Sequence, residues 1–132
     1  MKITRFMTTV DGGSQFDEID VPFGEEIQGA SGYTLMGSNP FDSPNVRLVE
    51  LPANLNQDWH PPPRLQLVVV ISGIVEVTTT DNARRRWGKG EVFIAADLDG
   101  QGHRTRTIDG AAIVMFVPFP ETFALEAWSV VS

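Results

Sequence analysis

Apolar residues in this chain come in short bursts, cut at close intervals by glycine and proline, and within the bursts the side chains favour Val, Ile, Thr and Phe. Such segments fit the two-residue period of strands and are too brief for the 3.6-residue period of helices. From residue 46 the pattern is sharp. Residues 46–51 form a strand closed by Pro52, and 65–71 form a nearly continuous apolar run that ends at Ser72-Gly73. Strands are then predicted at 75–80, 84–87, 92–96, 103–107 and 111–118. Between them lie Asp81-Asn82, Gly88-Lys89-Gly90, the loop 97–102 and Ile108-Asp109-Gly110. The first 45 residues are less regular: 3–10 reads as a strand before the turn Asp11-Gly12-Gly13-Ser14. Weaker strands are expected at 19–23 and 33–36, and a loop at 38–44. One short helical turn is expected within 122–128. Many short strands between turn residues predict an all-β sandwich or barrel.

The run 65–71 constrains the architecture further. A strand with one wet face alternates apolar and polar residues, yet here Gln66 is the sole polar side chain. One face can fill a barrel. The other needs a cover, supplied by the N-terminal segment, by an opposing sheet or by a second subunit, and a homodimer is expected on this ground.

Length and composition narrow the function classes. A chain of 132 residues is one domain's worth, with no linker or repeat dividing it. Without cysteine there are no disulfides, thiolate metal sites or thiol nucleophiles. The net charge of −7 repels nucleic-acid backbones and anionic membranes, so neither is expected as a partner. Arg84, Arg85 and Arg86 form the basic run and read as a solvated strand edge. The first residues lack a signal peptide's apolar region, and no stretch approaches the roughly 20 apolar residues of a membrane span. A cytoplasmic protein is the expectation.

Chemistry concentrates between Asp58 and Thr107. His60, Pro62 and Gln66 are spaced i, i+2 and i+6, which places them on one side of an extended chain, with Val68 and Val70 continuing the row. On a later strand His103, Thr105 and Thr107 share a face, and Arg104 and Arg106 take the other. If the two strands are neighbours, His60, Gln66 and His103 meet in one cavity. Two imidazoles and an amide oxygen form a partial ligand set for a divalent ion.

This stretch resembles the cupin superfamily, whose first motif is G-x5-H-x-H-x3–4-E-x6-G and whose second is G-x5-P-x-G-x2-H-x3-N. His60, position 62, position 66 and Gly73 keep the first spacing, but Pro62 replaces the second histidine, Gln66 the glutamate and Asn54 the leading glycine. The second motif runs from Gly90 through Leu98, Gly100 and His103 to Thr107, with two extra residues before Leu98. The resemblance implies a double-stranded β-helix, a jelly-roll barrel of the RmlC-like kind, over residues 1–132. The motifs occupy about 46–118, and 1–45 supply strands and loops packed on the barrel.

It also implies one ligand pocket. His60, Gln66 and His103 are the candidate metal ligands, for iron, manganese, nickel or zinc, and Trp59, Arg64, Val68 and Thr105 the candidate lining. Trp87 is either lining or core, and the loop 97–102 is expected at the mouth as a mobile rim. Three functions follow from the resemblance: a small-molecule binder with or without a metal, a metal-dependent oxygenase, isomerase or decarboxylase on a small organic metabolite, or a structural barrel without a ligand.

Overall fold

The computed structural model describes residues 1–130. Its strands are β1 (Lys2–Thr8), β2 (Ser14–Asp20), β3 (Glu25–Gln28), β4 (Thr34–Gly37), β5 (Arg47–Leu51), β6 (Gln66–Thr78), β7 (Arg84–Trp87), β8 (Val92–Ala96), β9 (Arg104–Pro118) and β10 (Ser129–Val130). Single 3₁₀ turns at Ala30–Gly32 and Leu125–Ala127 are the helical elements among the described residues. Eight strands form one sheet in the order β10-β2-β1-β8-β6-β9-β5, with β7 also on β6, and β3 and β4 make a separate hairpin. β6 is the hub. β9 lies along one side of it, while β8 pairs with its first half and β7 with its second.

The N-terminal strands are more than a layer on the outside. β1 and β2 form a hairpin, and β1 joins the main sheet by pairing in parallel with β8. β2 begins at Ser14, earlier than the predicted 19, because the polar residues Gln15, Asp17 and Glu18 hide its alternation.

Two expected strand ends are bends within longer strands. β6 passes through Ser72-Gly73 and β9 through Ile108-Asp109-Gly110, and the register between them slips there, from Ser72 opposite Ile113 to Ile74 opposite Ile108. Asp109, Gly110 and Gly73 all take positive φ, at 58°, 135° and 79°. A Cβ on Gly73 would lie 2.5 Å from the Ala111 carbonyl oxygen. Residues that make turns also make bulges, and the bulge lets one long strand turn a barrel corner.

Apolar side chains sort onto the two faces of the sheet. Inside the barrel lie Phe6, Val68, Val70, Val75, Val77, Trp87, Phe93, Ala95, Ala112 and Val114. Trp87 is therefore core, packed at a tilt against Phe93 with ring centres 4.3 Å apart. Outside, Ile3, Ile19, Val21 and Ile94 pack with Phe119, Leu125 and Trp128, and Phe41, Leu65, Leu67 and Phe123 join them. The second face of the 65–71 run is covered within the chain over Leu65 and Leu67, by the C-terminal segment together with Phe41, while Ile71 at its end is 41% exposed.

Candidate functional site

After β5 the chain runs antiparallel to the first half of β9. The Gln57 amide donates to the Thr105 carbonyl at 2.8 Å, and Asn56 bridges Arg106. His60 and His103 then exchange both backbone hydrogen bonds, each 3.0 Å. Such pairing puts two side chains on the same face of adjacent strands, and the imidazole centres stand 4.7 Å apart. Gly102 makes the approach feasible. Its φ is +80°, and a Cβ there would collide with the His60 carbonyl and the Pro61 nitrogen.

Each imidazole has one nitrogen engaged. His60 Nδ1 lies 2.6 Å from the Asp58 carbonyl oxygen, and His103 Nδ1 lies 2.7 Å from Asp97 Oδ2. A carbonyl oxygen only accepts, and so does a carboxylate. Both rings therefore carry hydrogen on Nδ1 and leave Nε2 as the free nitrogen. The Asp97–His103 pair is deeply buried, at 0% and 5% exposure, and Asp97 Oδ1 has no hydrogen-bond partner. Phe6 packs on the other side of His103 at 4.6 Å.

The two histidines open onto a cavity of about 340 Å³ inside the barrel, near the lower end of the roughly 300–1,000 Å³ usual for ligand pockets. Its wall is mostly apolar, with Phe6, Val68, Phe93, Val114 and Phe116 prominent, and the polar side chains on it are His60, His103, Gln57, Gln66 and Thr105. Gln66 is 6% exposed, and its amide makes no hydrogen bond to protein among the described residues. The amide instead lines the cavity, where its donors and acceptor are open to an occupant.

The structure thus brings His60, Gln66, His103, Val68 and Thr105 around one cavity. It places two of the expected lining residues elsewhere. Trp59 faces a separate cleft on the outside of the sheet, beneath the guanidinium of Arg104 at 5.7 Å. Arg64 is exposed in an outer groove with Arg47, which shares Val49, Pro63, Gln66 and Phe116 with the cavity wall. Residues 61–65 are not in a strand, so simple alternation does not carry across the prolines. The loop 97–102 is no free rim either. Thr8 Oγ1 donates to the Asp99 carbonyl, the Gln101 amide donates to Gly12, and Ser14 Oγ donates to the Gly102 carbonyl.

The donor set does not fit the metal that the sequence resemblance calls for. Two imidazoles and a neutral amide line the cavity, and among the described residues no three His, Asp or Glu side chains converge. Asp97 faces the far nitrogen of His103 and does not line the cavity. A dication held by neutral donors alone lacks the anionic ligand that would offset its charge.

Sequence reasoning missed two supports of the site. The Asp58 carbonyl belongs to the backbone and leaves no mark in a sequence. Asp97, six residues before His103, is visible only as an acidic residue at a strand end.

No protein-family model matches the chain, and no curated protein matches its sequence. Solved structures do resemble it. The DMSP lyase DddQ of Ruegeria pomeroyi is 19% identical over 82% of this chain, with a TM-score of 0.50. This chain spans 58% of the lyase's length. The cupin domain of Schizosaccharomyces pombe Cnp3 is 18% identical over 92% of this chain and 84% of its own, with a TM-score of 0.48. An RmlC-like cupin protein from Desulfovibrio desulfuricans is 23% identical over 60% of this chain and 77% of its own, with a TM-score of 0.40. The fold is that of a small cupin, an all-β jelly-roll barrel. Among the described residues no helix is long and apolar enough to cross a membrane.

Proposed function

We propose that this cupin barrel binds a small organic acid, its apolar body inside the cavity and its polar group among His60, His103 and Gln66. The observation that carries the reading is the convergence of three polar side chains, the Gln66 amide and two imidazoles with free Nε2 atoms, on one otherwise apolar cavity. An amide that lines the cavity without a protein partner keeps two donors and an acceptor for a ligand. Arg47 and Arg64, in the groove that shares the Gln66 wall, favour an acid over a neutral molecule. Binding here needs no metal.

A thermal-shift screen of small carboxylic acids tests the reading, with Gln66→Leu as the partner variant. A ligand at about 100 times its Kd stabilises the protein by roughly 2.7 kcal/mol, a rise of several degrees in Tm. Gln66→Leu should be at least as stable as the wild type without ligand and should bind about tenfold more weakly. A destabilised variant with unchanged affinity would show that the amide is structural. Elemental analysis of untagged protein should find well under one divalent ion per chain; stoichiometric metal lost in His60→Ala would overturn the metal-free form.

A second reading, catalysis, is favoured by one contact: the buried Asp97–His103 hydrogen bond. It fixes the tautomer, leaves Nε2 able to take a proton from a bound acid, and stabilises the imidazolium that results. Asp97→Asn keeps a hydrogen-bond acceptor but removes the charge. Deuterium incorporation from solvent into a bound acid, slowed in Asp97→Asn with binding retained, is the expected signature.

A further inference from the structure

The outer face of the β7-β6-β9 sheet carries two adjacent cross-strand rows with the same arrangement. In the first, Arg86, Glu76 and Arg106 lie side by side. Arg86 Nε donates to Glu76 Oε2 at 2.7 Å and Arg106 Nε to Oε1 at 2.6 Å, so one carboxylate sits between two arginines and is only 3% exposed. Two residues along the strands, the second row repeats the pattern with Arg84, Thr78 and Arg104. Here a hydroxyl stands where the carboxylate would be. Neither Arg84 nor Arg104 has a carboxylate partner among the described residues.

Glu76, Thr78, Arg84, Arg104 and Arg106 line a cleft of about 260 Å³, with Asn56, Asn82 and Trp59 also on its wall. Three guanidinium groups against one carboxylate give the cleft a local charge of +2 on a chain whose net charge is −7. Strand spacing puts Arg84 and Arg104 roughly 10 Å apart at their Cα atoms, a separation that one small anion can span from both sides. Like charges across a sheet repel, and the Glu76 row shows what relieves them.

We propose that the Arg84–Thr78–Arg104 row is a binding site for a phosphate group, separate from the barrel cavity. Arginines from two strands and a hydroxyl between them offer donors from three directions, which suits a tetrahedral oxyanion better than a planar carboxylate. The acidic surface elsewhere disfavours a polyanion, so the occupant is a small molecule: the free ion or a phosphomonoester. Trp59, beneath the Arg104 guanidinium at 5.7 Å, holds that arginine over the cleft.

Isothermal titration with inorganic phosphate and with glycerol phosphate, at ionic strength fixed with sodium chloride, tests the site. Wild-type protein should bind with a Kd of about millimolar, and Arg84→Gln and Arg104→Gln should each weaken binding about tenfold. Arg85→Gln is the control, because Arg85 lies on the opposite face, over Phe16 at 5.5 Å. Gln66→Leu should bind phosphate like the wild type, separating this site from the barrel cavity. Tighter binding of the ester assigns the site to a phosphorylated molecule, and equal binding to the ion itself. Chloride giving the same heat, or Arg84→Gln and Arg104→Gln both binding like the wild type, would overturn the proposal.

Discussion

Glu76 shows how one residue's environment sets a pH dependence. The hydrogen bond from Arg106 holds its carboxyl below the ordinary value of 4.5, burial opposes this, and Arg86 adds to the lowering. A carboxyl with a lowered pKa contributes stability that is fully present above its unfolded value and lost as pH falls through the folded one. Wild-type protein should therefore be more stable than Glu76→Gln at pH 7, with the gap closing below about pH 4.5. Urea melts of both proteins across that range measure it, and a constant gap would mean that Glu76 acts by shape alone. At this scale the sequence is partly legible. The spacing of His60, Gln66 and His103 is enough to suggest a shared cavity, although the chain between His60 and Gln66 is not a strand and the backbone bridge from His60 to His103 is what brings the rings together. Trp59, next to His60, takes the opposite face as alternation requires, whereas Arg64 follows three consecutive prolines outside any strand, where alternation places nothing.

Strands and loops show where turn chemistry misleads. Val92–Ala96 and Arg84–Trp87 are bounded by true turns and have the limits that the sequence predicts. Ser72-Gly73 and Asp109-Gly110 carry the same residue types but sit inside strands, because a positive φ serves a bulge as well as a turn. Gly102 is the most demanding of these positions. In Gly102→Ala the left-handed backbone alone should cost about 1–2 kcal/mol. The added methyl also pushes His60 off its backbone bridge. Chemical denaturation should show at least that loss, together with a changed imidazole spectrum for His60. An alanine variant with unaltered stability and histidine resonances would refute this account of the loop.

For the whole molecule, the C-terminal segment matters more than its sequence suggests. Phe119, Phe123 and Trp128 pack on one another and on Phe41, closing the outer face of the sheet over Leu65 and Leu67. The aromatic spacing was there to be seen, but a tail after the last strand carries no periodicity strong enough to assign it a place. Trp128→Ala should cost about 3–5 kcal/mol, a large fraction of the 5–15 kcal/mol typical of a domain. Denaturation with guanidinium would measure the loss, and a change under about 0.5 kcal/mol would mean that the tail is not part of the core.

The bridge between positions 60 and 103 sets the distance between the two rings through main-chain atoms, not through the rings themselves. Descendants of this barrel could therefore exchange either side chain for an acid, an alcohol or a thiol and still present the pair face to face. The scaffold is a socket whose fitting can be swapped, which is one physical route by which a single architecture comes to host unrelated chemistries.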